Sequence, residues 1–210
     1  MYQAHLDKVV AWATADRFKD DVAAARREFA AATGGDVFED DRSMESRLAA
    51  FVDWYVLDRK RGASTPAEAF VAEEGERIHP SELPIYRAFT ETVRGLFELK
   101  KPPKNERLRV RELIGEKDYE VFERRVLAGL AKGDVFEARL IPFKGDLFFS
   151  SAFCYHPRPA KKPILSELKR RRKAGAIEPG AFLNTLLAME LKFERYRNVA
   201  VEAIYSFHAP

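Results

Sequence analysis

Residues 134–155 read "DVFEARLIPFKGDLFFSSAFCY". Two runs rich in β-branched and aromatic side chains are parted by Lys144-Gly145-Asp146, a short turn signal between strand-like segments. Upstream the same grammar recurs in "RGLFELKKP" (94–102), "RLRVREL" (107–113) and "YEVFERR" (119–125), with "KPPKNE", "IGEK" and "GLAKGD" at the joints. Five strands at such even spacing predict a small antiparallel barrel, with an SH3-like and an OB-like closure both open. "LFFSSAFCY" (147–155) is its fifth strand in this reading.

Outward from the barrel the apolar period changes from two to between three and four. Phe18, Val22, Ala25, Phe29 and Ala32 mark one helical face, and Leu6, Val10 and Ala13 extend it backwards. Gly34-Gly35 ends that segment, because a helix C-terminus favours a residue that tolerates positive φ. A second helix is expected from about 43 to 59, with Leu48, Phe51, Val52, Tyr55 and Val56 as its buried stripe. Thr65, Pro66 and Glu68 spell a capping box for a third. A short fourth covers about 82–92, burying Leu83, Tyr86, Phe89 and Val93. Past Tyr155, "HPRPAKKP" (156–163) blocks regular structure up to its last proline, so a helix is expected over about 165–174. A longer one follows "EPG", its face made by Phe182, Leu186, Met189, Phe193, Tyr196, Ala200, Ala203 and Phe207. The plan is α+β: a helical region (1–93), a five-stranded module (94–157) and C-terminal helices (158–210).

Composition bounds the function. The 210 residues carry 46% hydrophobic and 33% charged side chains, enough apolar surface for a core without staples. Thirty-six basic against 33 acidic residues leave a net charge of +3, so any attraction to a polyanion must be local. The single cysteine, Cys154, excludes an intramolecular disulfide and a multi-cysteine zinc cluster. The first twenty residues lack the unbroken apolar run of a signal peptide, and no window has the apolar length of a membrane span. A soluble cytoplasmic protein without membrane insertion is expected.

Two basic segments invite a polyanion reading. Lys169, Arg170, Arg171, Arg172 and Lys173 are consecutive, and Lys161 and Lys162 precede them. Successive helical residues turn by about 100°, so this cluster points in every direction, and it occupies a last turn where cations suit the helix dipole. Arg107, Arg109 and Arg111 alternate along one strand face. A turn at Gly115-Glu116 would set Arg111 opposite Glu120 and Arg109 opposite Phe122, turning the row into cross-strand pairs. Nucleic acid is therefore the second-ranked partner.

No catalytic constellation emerges. His5, His79, His156 and His208 are scattered, and none has metal-ligand spacing, so neither a metal nor a cofactor is expected. Cys154 and His156 lie two apart on a strand and share a face, the one geometry here that admits a thiol–imidazole dyad. No glycine pattern matches a phosphate loop or a dinucleotide fingerprint. An enzyme with a dispersed site ranks third.

Three pieces in order, "FVDWYVLDR", "STPAEAFV" and "LAKGDVFEARLIPFKGDLFFSS", give the chain a family likeness over about residues 48–155. It resembles a group of uncharacterised bacterial proteins with an Asp-Trp-Tyr/Phe helix, a Thr-Pro-x-x-x-Phe turn and a small β module opened by Gly-Asp. Some members of that group carry a cysteine-rich zinc motif like that at the SecA C-terminus, which one cysteine cannot supply. The resemblance implies bacterial origin and this fold, and no activity. The reading placed first is a non-catalytic adaptor or regulatory protein. Its partner, a protein or a second copy, would meet Phe182, Leu186, Met189, Phe193 and Tyr196.

Overall fold

The computed structural model describes residues 2–125 and 129–207; His208 lies outside them. Five N-terminal helices, α1 (Gln3–Ala13), α2 (Lys19–Ala32), α3 (Met44–Leu57), α4 (Pro66–Glu74) and α5 (Leu83–Ala88), precede the strands. Strands β1 (Val93–Lys104), β2 (Arg107–Glu112), β3 (Lys117–Phe122), β4 (Val135–Phe143), β5 (Asp146–Phe149) and β6 (Cys154–Tyr155) follow. Helices α6 (Lys161–Lys173), α7 (Pro179–Arg195) and α8 (Val201–Ile204) complete the chain.

The barrel closes in the order β1-β2-β3-β5-β4 and back to β1. All ladders within it are antiparallel except β3–β5, which meets in parallel at Phe122 and Phe148. This exchanged order is a Greek-key closure of the OB kind, and it settles what the sequence left open. Two of its hairpins turn on left-handed pairs, Asn105-Glu106 and Lys144-Gly145, as tight turns between right-twisted strands require. Strand β1 serves two partners, β4 through Val93–Glu98 and β2 from Phe97 on, and register shifts after Leu99 and Lys101 bend it from one to the other. Alternation then sorts the side chains. Phe97, Leu99, Leu108, Val110, Val121, Phe136, Ala138, Leu140 and Phe149 fill the interior.

The outer face of β1 and β4 is also covered. Leu96 joins Ile164, Leu168, Phe182, Leu183 and Leu186 beneath α6 and α7, while Ile141 and Cys154 join the N-terminal helices and Leu187. Strand β4 is therefore buried on both faces along Val135–Ile141, although it carries Glu137 and Arg139.

Several sequence expectations shift by small amounts for identifiable reasons. The first helical segment is two helices, because Ala15 leaves helical geometry at ψ 155°. Helix α1 thereby packs on α4 and α5, and α2 on α3 and α7. The expected fifth strand is also two: Ser150–Phe153 leave the ladder, and β6 returns to pair Cys154 with Glu137 on β4. Between β2 and β3 the loop has four residues (113–116), so Arg111 faces Asp118, Arg109 faces Glu120 and Arg107 faces Phe122. The register differs by two positions from the two-residue turn, which preserves every side chain's face. Helix α6 starts at Lys161, since Pro163 sits in a first turn whose N–H groups have no helical partner to lose. The long helix expected through Phe207 is α7 and ends at Arg195, where Tyr196 turns out at ψ 67°. The chain then folds back so that Ile204 and Tyr205 are buried. On α3, Leu48 is exposed, while Arg47 and Asp53 are buried in its place.

The expected Thr65–Glu68 capping box is present in full at α4. Gly34 and Gly35 do end α2, at φ +96° and +112°. A Cβ on Gly34 would lie 3.0 Å from the Ala188 Cα of α7, whereas one on Gly35 would meet nothing within 4 Å among the described residues. Both substitutions carry left-handed strain of about 1–2 kcal/mol, but only Gly34→Ala must also push two helices apart. We expect Gly34→Ala to lose clearly more stability than Gly35→Ala in urea unfolding; equal losses would contradict this packing.

Candidate ligand-binding cavity

The basic segments are largely neutralised by their surroundings. On β2, Arg107 reaches Asp146 at 2.8 Å and Glu120 at 3.6 Å, Arg109 reaches Glu120 at 3.6 Å, and Arg111 reaches Asp118 at 3.1 Å. The cation over the Phe122 ring is Arg107, in place of the expected Arg109, joined by Arg124. In α6, Arg170 and Arg171 both bind Glu167, each at 2.7 Å. Arg172 donates to the Leu113 carbonyl at 2.9 Å, which seats the end of α6 on the β2–β3 turn. Lys161 donates to the Gly133 carbonyl at 2.8 Å and lies 3.3 Å from Glu98. Lys162, Lys169 and Lys173 are exposed. Acidic side chains stand among the cations of both segments.

The α7 stripe divides. Phe182 and Leu186 are fully buried in the protein's own core, Met189 and Phe193 are half-buried, and Tyr196 is 57% exposed beyond the helix end. The Cys154–His156 pair is buried on a chemically quiet surface. Burial pushes the thiol well above its usual range and holds the imidazole down at about 3. The His156 Nδ1 is occupied by the Tyr205 hydroxyl at 3.0 Å. A protonated thiol beside a neutral ring is the opposite of the activated state a nucleophile needs.

The feature with chemical potential lies elsewhere, and sequence reading missed it. Between the outer face of β1 and β4, the buried side of α3, and α7 is a cavity of about 490 Å³, within the range of small-molecule sites. Arg94 and Arg139 stand directly opposite each other on β1 and β4, and Glu137 projects from the same face. Helix α3 presents Ser46, Ala50 and Asp53 at four- and three-residue steps, with Arg47 beside them. Helix α7 adds Leu187, Glu190 and Phe193, and residues 152–155 close the side.

Like charges placed opposite one another on a sheet repel, and the cluster answers with carboxylates. Arg94 Nε donates to Glu137 Oε1 at 2.7 Å. Arg139 donates to Asp58 and, at 2.9 Å, to the Thr92 hydroxyl. Arg47 donates to the Leu187 carbonyl and lies 3.4 Å from Glu190. Glu194 caps the start of α3, accepting from the Arg42 amide and, at 2.6 Å, from the Ser43 hydroxyl. A negative charge suits a helix N-terminus.

These contacts are incomplete. Among the described residues, Arg47 Nε, Arg94 Nη2, Arg139 Nε, Asp53 Oδ2 and Glu137 Oε2 are buried without a hydrogen-bond partner. The Arg139 Nε to Asp53 Oδ2 separation, 3.8 Å, is too long for a hydrogen bond. All five belong to residues lining the cavity, and Arg47, Asp53, Glu137 and Arg139 are each more than nine-tenths buried. Burial raises the carboxyl pKa values of Asp53, Glu137 and Glu190 despite the neighbouring guanidiniums.

One sequence signal did point here: Asp53 interrupts the apolar run "FVDWYVL" (51–57). Glu137 and Arg139 gave none, because alternating charge on a strand ordinarily means a solvent face.

Two outcomes test this electrostatic picture. Replacing Arg94 by Met should cost about 3–5 kcal/mol by leaving Glu137 buried and uncompensated, and the double variant R94M/E137L should recover most of it. Urea unfolding of the four-member cycle reads both. In α6, hydrogen bonds from Arg170 and Arg171 hold Glu167 at about 2, against an ordinary 4.5. A depressed carboxyl pKa contributes stability that is complete above the ordinary value and lost as pH falls toward the folded one. E167Q should therefore cost about 1–3 kcal/mol at neutral pH, with the gap to wild type closing between pH 4.5 and 2.

No curated protein and no solved structure matches this chain. One family model does, over residues 17–179, from just ahead of α2 to the start of α7. That match takes in the β1, α3 and β4 walls of the cavity and covers well over half of the sequence. The chain belongs to the Family of unknown function (DUF7986).

Proposed function

We propose that this protein is a non-catalytic, small-molecule-binding regulatory protein whose ligand occupies the cavity between the helices and the barrel. The observation that carries the reading is the cavity itself, about 490 Å³, whose lining sets the charged side chains of Arg47, Asp53, Arg94, Glu137 and Arg139 among apolar ones. Its apolar walls come from Ala50, Ala152, Phe153, Leu187 and Phe193, the mixture typical of small-molecule sites.

A regulatory role fits where the cavity lies. Its walls come from three separate parts of the chain, so an occupant bridges α3, α7 and the barrel. Near the mouth residue Arg197, Tyr196 and Val199 are exposed at the end of α7, a surface through which occupancy can be read by a protein partner. This keeps the adaptor role expected from the sequence and moves its surface from the buried half of the α7 stripe to the end of that helix. Oligonucleotide binding ranks below it, because each β2 arginine already lies beside a carboxylate.

The test is a ligand-observed NMR screen of metabolite-like compounds on the full chain, repeated with Ala50→Phe. Hits should stabilise the wild-type protein thermally, as any ligand of the native state must. They should lose affinity at least about tenfold when Phe fills the cavity, with circular dichroism showing the variant folded. Hits that bind the folded variant undiminished would overturn the proposal.

A further inference from the structure

The side chains at the mouth of the cavity differ in kind from those at its floor. Built on the small-molecule reading above, that difference names the class of ligand.

At the floor, charge is matched within the protein. Glu137 lies against Arg94, Glu190 against Arg47, and Asp53 faces Arg139. Each of these side chains is at most 15% exposed, so they offer an occupant little to bind. The surface that the cavity does present is mostly apolar, with Ala50, Ala152, Phe153, Tyr155 and Phe193 in its lining. Such a wall takes an apolar body out of water.

The mouth is different. Three lining residues are exposed: Arg42, Tyr155 and Arg197. Two of them are cations, whereas every carboxylate of the lining is buried or half-buried. The acids nearest to them in the chain are engaged elsewhere, Asp41 by Arg195 and Glu194 by the Ser43 hydroxyl. Among the described residues, neither the Arg42 nor the Arg197 guanidinium forms an ion pair or a hydrogen bond.

An apolar cavity rimmed by two such cations suits a molecule with one greasy body and one acid head. A cationic head meets like charge at the mouth, and a neutral one leaves both guanidiniums to water. A dianion sets its second charge near Glu39 and Asp40, which are exposed just ahead of Arg42. A carboxylate carries a single charge and can accept two parallel hydrogen bonds from an arginine fork.

We infer that the ligand is an amphipathic carboxylic acid, its apolar body in the cavity against Phe153, Tyr155 and Phe193 and its carboxylate held at the mouth by Arg42 and Arg197.

Octanoate, 1-octanol and octylammonium share a chain and differ in the head. Titrated into the isotopically labelled full chain at neutral pH and low salt, octanoate should shift the amide signals of Ala50, Ala138, Ala152 and Cys154. It should bind at least about tenfold more tightly than the other two probes. Added salt should weaken it, because exposed charges are screened. The double variant R42Q/R197Q, with circular dichroism showing it folded, should lower octanoate affinity by about the same tenfold and leave octanol binding unchanged. General damage to the cavity would weaken both. Octanol or octylammonium binding as tightly through the same residues, or full octanoate affinity in R42Q/R197Q, would overturn the carboxylate assignment and leave the cavity as a binding site. No shift of cavity residues by any probe up to its solubility would overturn the assignment too, while ligands found by the wider screen would still decide the binding role separately.

Discussion

Everything in this fold turns on the outer face of β4. A strand in a small barrel ordinarily shows one face to the interior and the other to water. Here both faces are covered, the inner by the barrel's aromatic core and the outer by α3 and α7. The outer face nevertheless carries Glu137 and Arg139, with Arg94 alongside on β1. Taking such groups out of water costs several kcal/mol per ion even after relaxation. The helices pack there with Asp53 and Asp58 brought to Arg139, while Arg47 and Glu190 pair with each other across α3 and α7. Charge complementarity, as much as apolar burial, decides where the helices dock.

The same constraint creates the cavity. Helices crossing a strongly bent sheet do not follow it closely, and long charged side chains fill the gap less completely than leucines would. At the β4–α3–α7 junction the result is a set of ion pairs each satisfied in part. Two clusters elsewhere are complete. Glu167 takes three hydrogen bonds from two arginines, and Arg125 meets Glu123 through two.

Much of the architecture is legible in the residues, and the reasons are local. Turn chemistry at Asn105-Glu106 and Lys144-Gly145, two-residue alternation in "RLRVREL", and the Thr65–Glu68 box each act within a few positions. A pattern reader sees them directly. Failures came where distance in space replaced distance in sequence. The β2–β3 loop length depended on a turn that either register would allow, since both keep Arg107, Arg109 and Arg111 outward. The break after Arg195 is invisible to an apolar rhythm that continues through Phe207. The candidate site was the least legible of all. Arg47, Asp53, Arg94, Glu137, Arg139 and Glu190 come from four elements, and each but Asp53 reads alone as an ordinary surface charge.

The cap that α7 places on α3 carries a consequence for biosynthesis. The amides of Arg42 and Ser43, just ahead of α3, are met by Glu194, about 150 residues later in the chain, while Arg195 holds Asp41 and Asp36 in the preceding loop. Chains emerge from the ribosome N-terminus first, at about 5–20 residues per second. Helix α3 therefore waits unfinished, its buried-to-be arginine and aspartate still wet, until nearly the whole polypeptide has been made. During that interval of roughly ten to thirty seconds, the nascent N-terminal layer is a natural client for chaperones that shelter exposed apolar helices.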